Sequence, residues 1–126
     1  MLKKHSILFL IFSLIVIMTG CRTSNKQSVE TLDFPVRENM TLESTYKSSV
    51  ENTEVEVSIY EVKNGSLNTF LSEYEKDLND SGWVTTRDLK PNGLVVEKNS
   101  KSVTVLCYEQ ESKLMVDIIP TPMAEK

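Results

Sequence analysis

Histidine and cysteine are scarce in this chain, and each scarcity excludes a class of chemistry. The 126 residues include one histidine, His5, and two cysteines, Cys21 and Cys107. Beyond its first 20 residues the chain has no imidazole, which excludes Ser-His-Asp and Cys-His catalysis and histidine-ligated zinc sites there. Two cysteines are also too few for a disulfide framework, so the stability of the fold has to come from a hydrophobic core.

Positive charge is scarce as well. The chain has 14 Lys and Arg against 18 Asp and Glu, a net charge of −4. Without the first 20 residues, which contain Lys3 and Lys4 and no acid, the net charge becomes −6. A nucleic-acid binder needs a basic surface, so we expect no nucleic-acid partner. The length suits one small domain with a real core.

The first 20 residues are organised like a secretory signal. Lys3 and Lys4 form a short basic start, and residues 7–18 form an uncharged apolar run of twelve. A membrane-spanning helix needs about 20 apolar residues, whereas a shorter run is typical of the central region of a signal peptide. We therefore predict that residues 1–20 are a signal peptide.

The end of this segment carries a recognisable motif. Met18-Thr19-Gly20-Cys21 resembles the lipobox of bacterial lipoprotein precursors, although Leu is commoner than Met at its first position. The resemblance implies cleavage between Gly20 and Cys21 and lipidation of Cys21. It also implies a location on the extracytoplasmic face of the bacterial cell membrane, with the lipid bilayer as partner of a diacylglyceryl anchor. Two acyl chains give essentially permanent anchoring. The alternatives are an uncleaved signal anchor and an ordinary secretory signal.

Lipidation of Cys21 would leave Cys107 as the remaining thiol. Cys107 alternates with Val103 and Val105, which places it on an apolar strand face. We expect a buried, inert thiol, because no histidine is available to activate the sulfur. A nucleophilic or redox role is the alternative.

The rest of the chain divides into three parts. Residues 21–33 contain the lipidated cysteine and a polar, aperiodic segment, which predicts a flexible tether with a reach of roughly 20 Å. Residues 34–120 are predicted to form a single domain, and residues 121–126 a tail. Pro120 and Pro122 predict that the last strand stops before this tail.

Periodicity predicts a hairpin followed by a helix. Residues 53–62 alternate strongly, with Val55, Val57 and Ile59 on one side, and residues 40–46 alternate weakly as a hairpin partner. Residues 66–80 then switch to helical spacing. Their apolar stripe consists of Leu67, Phe70, Leu71, Tyr74 and Leu78. Ser66 is the predicted N-cap, and Gly82 the left-handed residue that ends the helix.

Four more strands follow the helix, at residues 83–87, 94–98, 101–108 and 113–119. Short turns between them predict an antiparallel meander, whose apolar face has to be covered by the single helix. The predicted fold is therefore α+β, in the order β-β-α-β-β-β-β. It is a two-layer sandwich of one antiparallel sheet and one amphipathic helix.

The helix end carries a second motif. Tyr74-x-x-x-Leu78-x-x-x-Gly82-Trp83, followed by hairpin strands, resembles a module of small bacterial lipoproteins and envelope proteins. Glu73 departs from that module, in which an aromatic residue often precedes the tyrosine. The resemblance covers about residues 33–120 and implies a fold but no established activity, so it implies no catalytic residue. On physical grounds, Gly82 ends the helix and Trp83 fills the space between helix and sheet.

One stretch partly fits a calcium loop. Asp77, Asn79, Ser81 and Asp88 take the oxygen-ligand positions 1, 3, 5 and 12, and Gly82 takes position 6. Asp at position 12 is too short for the usual bidentate contact, and a helix C-cap explains the same residues more simply. We predict no metal and no cofactor. The acidic residues of the helix and of residues 54–56 are predicted to form a solvated face.

The side of the sheet that faces away from the helix is the candidate interaction face. Alternation places five apolar residues there: Tyr60, Leu106, Tyr108, Met115 and Ile119. We therefore predict a non-enzymatic binding module with an envelope protein as partner. The alternatives are a small-ligand or calcium-binding lipoprotein and an accessory subunit of an envelope enzyme. Residues 33–46 could instead cover this face.

Overall fold

The computed structural model describes residues 33–121, which form a six-stranded antiparallel sheet and one α-helix. The elements, in chain order, are β1 (Met40–Val50), β2 (Thr53–Val62), α1 (Phe70–Asp80), β3 (Val84–Leu89), β4 (Gly93–Lys98), β5 (Lys101–Gln110) and β6 (Lys113–Thr121). The predicted α+β class and the predicted order of elements are confirmed at this level. No helix in residues 33–121 has the length and hydrophobicity to cross a membrane.

The strands lie in the order β1-β2-β6-β5-β4-β3. After the β1–β2 hairpin the chain passes through α1 to β3, which lies at the opposite edge of the sheet. From there β3, β4, β5 and β6 follow one another as an antiparallel meander, and β6 pairs with β2. Three of the hairpins close with two-residue turns in which both residues have positive φ: Glu51-Asn52, Asn99-Ser100 and Glu111-Ser112. Such turns match the twist of antiparallel strands.

One face of the sheet shares a hydrophobic core with α1. The buried helix residues are Phe70, Leu71, Tyr74 and Leu78. They form one cluster with Trp83 and with residues from every strand except β3, including Met40, Tyr60, Val62, Leu94, Val96, Val103, Val105, Cys107, Leu114, Val116 and Ile118. The predicted core role of Tyr74, Leu78 and Trp83 agrees with their positions.

The helix begins later than the sequence predicts. Its first residue is Phe70 and its N-cap is Thr69, whose side chain makes no capping hydrogen bond. Ser66 is therefore not the N-cap. Instead its carbonyl oxygen accepts hydrogen bonds from the N–H groups of Thr69 and Phe70, at 3.2 and 2.9 Å, in a turn that precedes the helix. Ser66 was predicted as N-cap because its residue type is common there, but the helical backbone starts one turn later.

The helix ends at Gly82, as the sequence predicts. Gly82 has φ of +94°, and its N–H donates to the carbonyl of Asn79 at 3.0 Å. The N–H of Trp83 donates to the carbonyl of Leu78 at 2.9 Å. This pair of bonds is the Schellman arrangement, which satisfies the last carbonyl groups of a helix.

The segment before β1 packs on the helix side of the sheet. The ring of Phe34 meets Trp83 edge-on, with centroids 4.9 Å apart, and meets Tyr74 at 6.2 Å. The hydroxyl of Tyr74 donates to the carbonyl oxygen of Pro35. This segment therefore does not cover the face of the sheet that lies opposite α1.

Pro120 does not stop the last strand, contrary to the prediction. It lies within β6 and is paired with Val103 of β5. The pairing of β6 with β2 runs from Leu114 to Ile118 and has ended before Pro120. A residue without an N–H is tolerated where a strand has one ladder neighbour. The last strand therefore extends past Pro120 to Thr121.

The predictions for the two ends of the chain lie outside the described residues. They are the signal peptide at residues 1–20, cleavage at Gly20 and Cys21, lipidation of Cys21, the tether as far as residue 32, and the tail from residue 122.

Candidate interaction face

Strand register decides which side chains lie opposite the helix. Val105, Cys107, Val116 and Ile118 belong to the helix-side core, so their strand neighbours point to the other side of the sheet. We call that side the second face. Its apolar residues are Tyr46, Val50, Val55, Val57, Ile59, Val84, Leu89, Val95, Leu106, Tyr108, Met115 and Ile119. Of these, Val55, Val57 and Met115 are buried, and the exposed apolar area is concentrated on the other strands and at Tyr46. No helix or strand of residues 33–121 packs against it.

Exposed apolar side chains are concentrated on the second face. Six large apolar residues of the described range are exposed, and four of these, Tyr46, Val84, Leu89 and Leu106, project from this side of the sheet. Leu106 pairs with Gly93, which in turn pairs with Leu89. Because Gly93 has no side chain, the side chain of Leu106 lies above it, and Leu106 and Leu89 form one continuous apolar surface.

A carboxylate lies next to this apolar surface, on the side of Leu106 away from Leu89. Asp117 pairs with Ile59 on one side and with Leu106 on the other. Its Oδ1 accepts a hydrogen bond of 2.8 Å from the hydroxyl of Tyr108. Burial and this hydrogen bond raise the pKa of Tyr108 to about 12, so the phenol stays protonated and acts as the donor. The second oxygen of Asp117 gives the face one polar anchor point.

The structure separates one predicted residue from the other four. Leu106, Tyr108, Met115 and Ile119 project from the second face, as predicted, although Met115 is only 8% exposed. Tyr60 does not: it pairs with Val116 and belongs to the helix-side core. The misplacement has a physical reason, since β2 has apolar residues on both sides and its alternation alone does not show which side meets the helix.

One end of the second face carries an ion cluster that the sequence analysis missed. Glu61 is buried, and its carboxylate oxygens lie 2.7 Å from Lys63 Nζ and 3.6 Å from Lys113 Nζ. The hydrogen bond from Lys63 lowers the pKa of Glu61, against the opposing effect of burial. Both lysines are exposed, so this cluster satisfies a buried carboxylate rather than forming a catalytic pair.

Two further ion clusters lie on the helix side. Arg37 contacts Glu73 at 3.0 Å and Asp77 at 2.9 Å, beside an open groove whose other lining residues are Val36, Glu38 and Asn39. The carboxylate of Glu75 accepts hydrogen bonds from Lys90 Nζ and from the Thr85 hydroxyl. Both clusters connect residues far apart in sequence, and no local pattern signals them.

The calcium-loop alternative is not formed. Asp77 and Asn79 lie in the last turn of α1 and Ser81 is its C-cap, whereas Asp88 lies in β3 beside Lys90 at 3.1 Å. Asp77 is paired with Arg37, and the Asn79 amide donates to the Trp83 carbonyl at 2.8 Å. Within residues 33–121, no three histidine, cysteine or acidic side chains are grouped so that they could hold a metal ion.

Cys107 is buried, as expected from its alternation. It is 2% exposed and belongs to the helix-side core. Burial, with a smaller effect of Glu109, raises the pKa of the thiol to about 11. The thiolate, which is the nucleophilic form, is therefore disfavoured near neutral pH.

We compared the chain with protein-family models, with curated proteins and with solved structures, and no match was found.

Proposed function

We propose that this protein is a membrane-anchored bacterial lipoprotein whose domain binds an envelope protein through the second face of its sheet. The domain is then a two-layer α+β sandwich in which α1 covers one face and the partner covers the other. The observation that carries the proposal is the apolar surface formed by Leu106 and Leu89, with Asp117 beside Leu106. Large exposed apolar patches on monomeric domains are typical of interaction sites.

The chemistry of this face suggests the chemistry of its partner. Tyr46, Leu89 and Leu106 are 46%, 46% and 37% exposed and offer apolar contact area. Asp117 uses Oδ1 for Tyr108 and has a second oxygen for an incoming donor. The expected partner therefore presents an apolar surface with one Lys, Arg or hydroxyl group opposite Asp117. Burial of this carboxylate without such a donor would weaken the complex.

The proposal of a lipid anchor depends on residues outside the described range. The run Met18-Thr19-Gly20-Cys21 follows a short apolar segment, and this is the basis for proposing lipidation at Cys21. Metabolic labelling of cells with an alkyne fatty acid tests it. We expect the parent chain to be labelled and the Cys21→Ala chain to be unlabelled. Equal labelling of both chains would contradict lipidation at Cys21.

Photocrosslinking in cells tests the binding face. A photoreactive amino acid at Leu106 should give one discrete adduct with an envelope protein, and Asp117→Asn should reduce the adduct. The matched control is Leu42, which is 51% exposed and lies on the helix-side register opposite Tyr60. The proposal is wrong if the two positions give the same adducts, or if Leu106 gives none in a folded, lipidated protein.

A further inference from the structure

The two outer strands of the sheet differ in their capacity to accept another strand. β3 has six residues, and its pairing is irregular between Thr85 and Arg87. β1 has eleven residues, contains no proline or glycine, and pairs regularly with β2 from Ser44 to Val50. A long, regular edge strand presents unpaired N–H and C=O groups to which a further strand can bind.

The outer edge of β1 is accessible. β1 is the terminal strand of the sheet, and no strand of residues 33–121 pairs with its outer side. All seven residues from Thr41 to Lys47 are exposed. The features that usually protect an edge are limited to a register irregularity between Leu42 and Ser44 and to two charged residues, Glu43 and Lys47.

We propose that β1 pairs antiparallel with β1 of a second copy of this chain, around a two-fold axis at Tyr46. Directly opposed residues in an antiparallel pair project to the same face, so a symmetric pair must be centred on a residue. Centring on Tyr46 places the two tyrosines opposite each other, Thr45 opposite Lys47, and Ser44 opposite Ser48. Aromatic cross-strand pairs are stabilising, and this register opposes no like charges.

The neighbouring registers are less favourable. Centring on Lys47 would place two ammonium groups directly opposite each other, which destabilises a strand pair. Centring on Thr45 would oppose Lys47 to Glu43, but Glu43 lies at the irregularity between Leu42 and Ser44, where the strand is not regularly paired. It would also oppose Tyr46 to a serine and so lose the aromatic pair. The side chains of β1 therefore favour pairing with β1 of a second copy in the register centred on Tyr46. The two six-stranded sheets then form one continuous sheet of twelve strands.

The symmetry has a consequence for the second face. A two-fold axis perpendicular to the sheet keeps the second faces of both copies on the same side of the joined sheet. Tyr46 projects from that face next to Val57, so the apolar surfaces of the two copies meet at the axis. The dimer does not depend on the proposed partner, because it uses the strand edge rather than the face.

Disulfide trapping tests the pairing and its register. Experiments use the full chain in detergent with Cys21→Ala, so that the buried Cys107 is the only other cysteine. Tyr46→Cys should give a disulfide-linked dimer on mild oxidation, because opposed Cα atoms lie about 4.5–5.5 Å apart. Ser48→Cys should not give a disulfide-linked dimer. In this register Ser48 of one copy is opposite Ser44 of the other, four residues along the strand from the second copy's Ser48. The double variant Ser44→Cys, Ser48→Cys keeps Tyr46 and should be trapped.

Light scattering tests association without cysteines on β1. The Cys21→Ala chain should have the mass of two chains, corrected for detergent. Tyr46→Lys, which places lysines opposite each other, should weaken dimerisation about tenfold or more. Val84→Lys is the control, since Val84 is 63% exposed but lies on β3; it should dimerise like the parent. A monomeric mass, or trapping of neither Tyr46→Cys nor the double variant, would overturn the proposal.

Discussion

At the scale of single residues, Glu75 connects the helix to the β3–β4 hairpin. Its carboxylate accepts hydrogen bonds from Lys90 Nζ and the Thr85 hydroxyl, and the three side chains are partly buried. Lys90 also contacts Asp88, whose Oδ1 accepts the Lys90 backbone N–H at 3.0 Å. The bond from Lys90, then that from Thr85, lowers the pKa of Glu75.

We expect Glu75→Gln to destabilise the domain by about 1–2 kcal/mol at pH 7, because a partly buried, charge-assisted hydrogen bond is lost. The folded pKa of Glu75 lies below its usual 4.5. The stabilisation is therefore complete above that value and is lost as the pH falls through the folded pKa. Urea unfolding should show a constant difference from the parent at pH values above the usual pKa of 4.5, and the difference should shrink as the pH is lowered further below it.

Glu73→Gln is the matched control for this prediction. Glu73 is also paired with a cation, Arg37, but its side chain is 59% exposed. An exposed ion pair contributes about 0–1 kcal/mol to stability. Glu73→Gln should therefore lower the free energy of unfolding by less than Glu75→Gln does. Equal effects of the two variants would show that the Glu75 cluster has no special role.

At the scale of elements, the end of α1 depends on one backbone conformation. Gly82 has φ of +94°, a region that side chains with a Cβ rarely adopt. A Cβ added there would also lie 3.2 Å from Lys98 Cε, although that side chain is flexible. The conformation allows Trp83 to enter the core directly after the helix, where it is 2% exposed.

Gly82→Ala should therefore lower the free energy of unfolding by about 1–2 kcal/mol, mainly through backbone strain. Thermal or urea unfolding measures the change. Ser81→Ala is the control, because Ser81 has φ of −91° and tolerates a Cβ. Similar losses for both variants would contradict the strain argument.

At the scale of the whole molecule, the segment before β1 completes the core. Phe34 is 5% exposed and packs edge-on against Trp83 and Tyr74. Phe34→Ala should destabilise the domain by roughly 3 kcal/mol, as for other buried aromatic residues. Val36→Ala, at a residue 41% exposed, should change the stability by about 0.5 kcal/mol or less. Equal effects of the two variants in urea unfolding would show that Phe34 is not part of the core that stabilises the domain.

Several features of the molecule follow from local patterns. The alternation of residues 53–62, the helical spacing from Phe70 to Leu78 and the glycine at position 82 correctly predict the element types and their order. Leu106, Tyr108 and Ile119 are also assigned to the correct face, because β5 and β6 have a core side formed by Val103, Val105, Cys107, Val116 and Ile118. Where one side of a strand is clearly more apolar, alternation is sufficient.

The errors occur where local patterns are ambiguous. β2 has Val55, Val57 and Ile59 on one side and Tyr60 and Val62 on the other, so its orientation depends on its register with β6. Ser66 suits an N-cap, but the helical backbone begins at Phe70. Pro120 stays in β6 because β2 no longer pairs with it there, which no local pattern reports.

The sequence by itself determined the element types, their order, the end of the helix and the burial of Cys107, because these depend on neighbours within a few positions. The tertiary structure alone decided that Tyr60 faces the helix, that β1 and β3 are the sheet edges, and that Arg37, Glu61 and Glu75 find their ion partners. These features depend on pairings between residues far apart in the chain. Strand order and register, which no local periodicity encodes, bring those residues together.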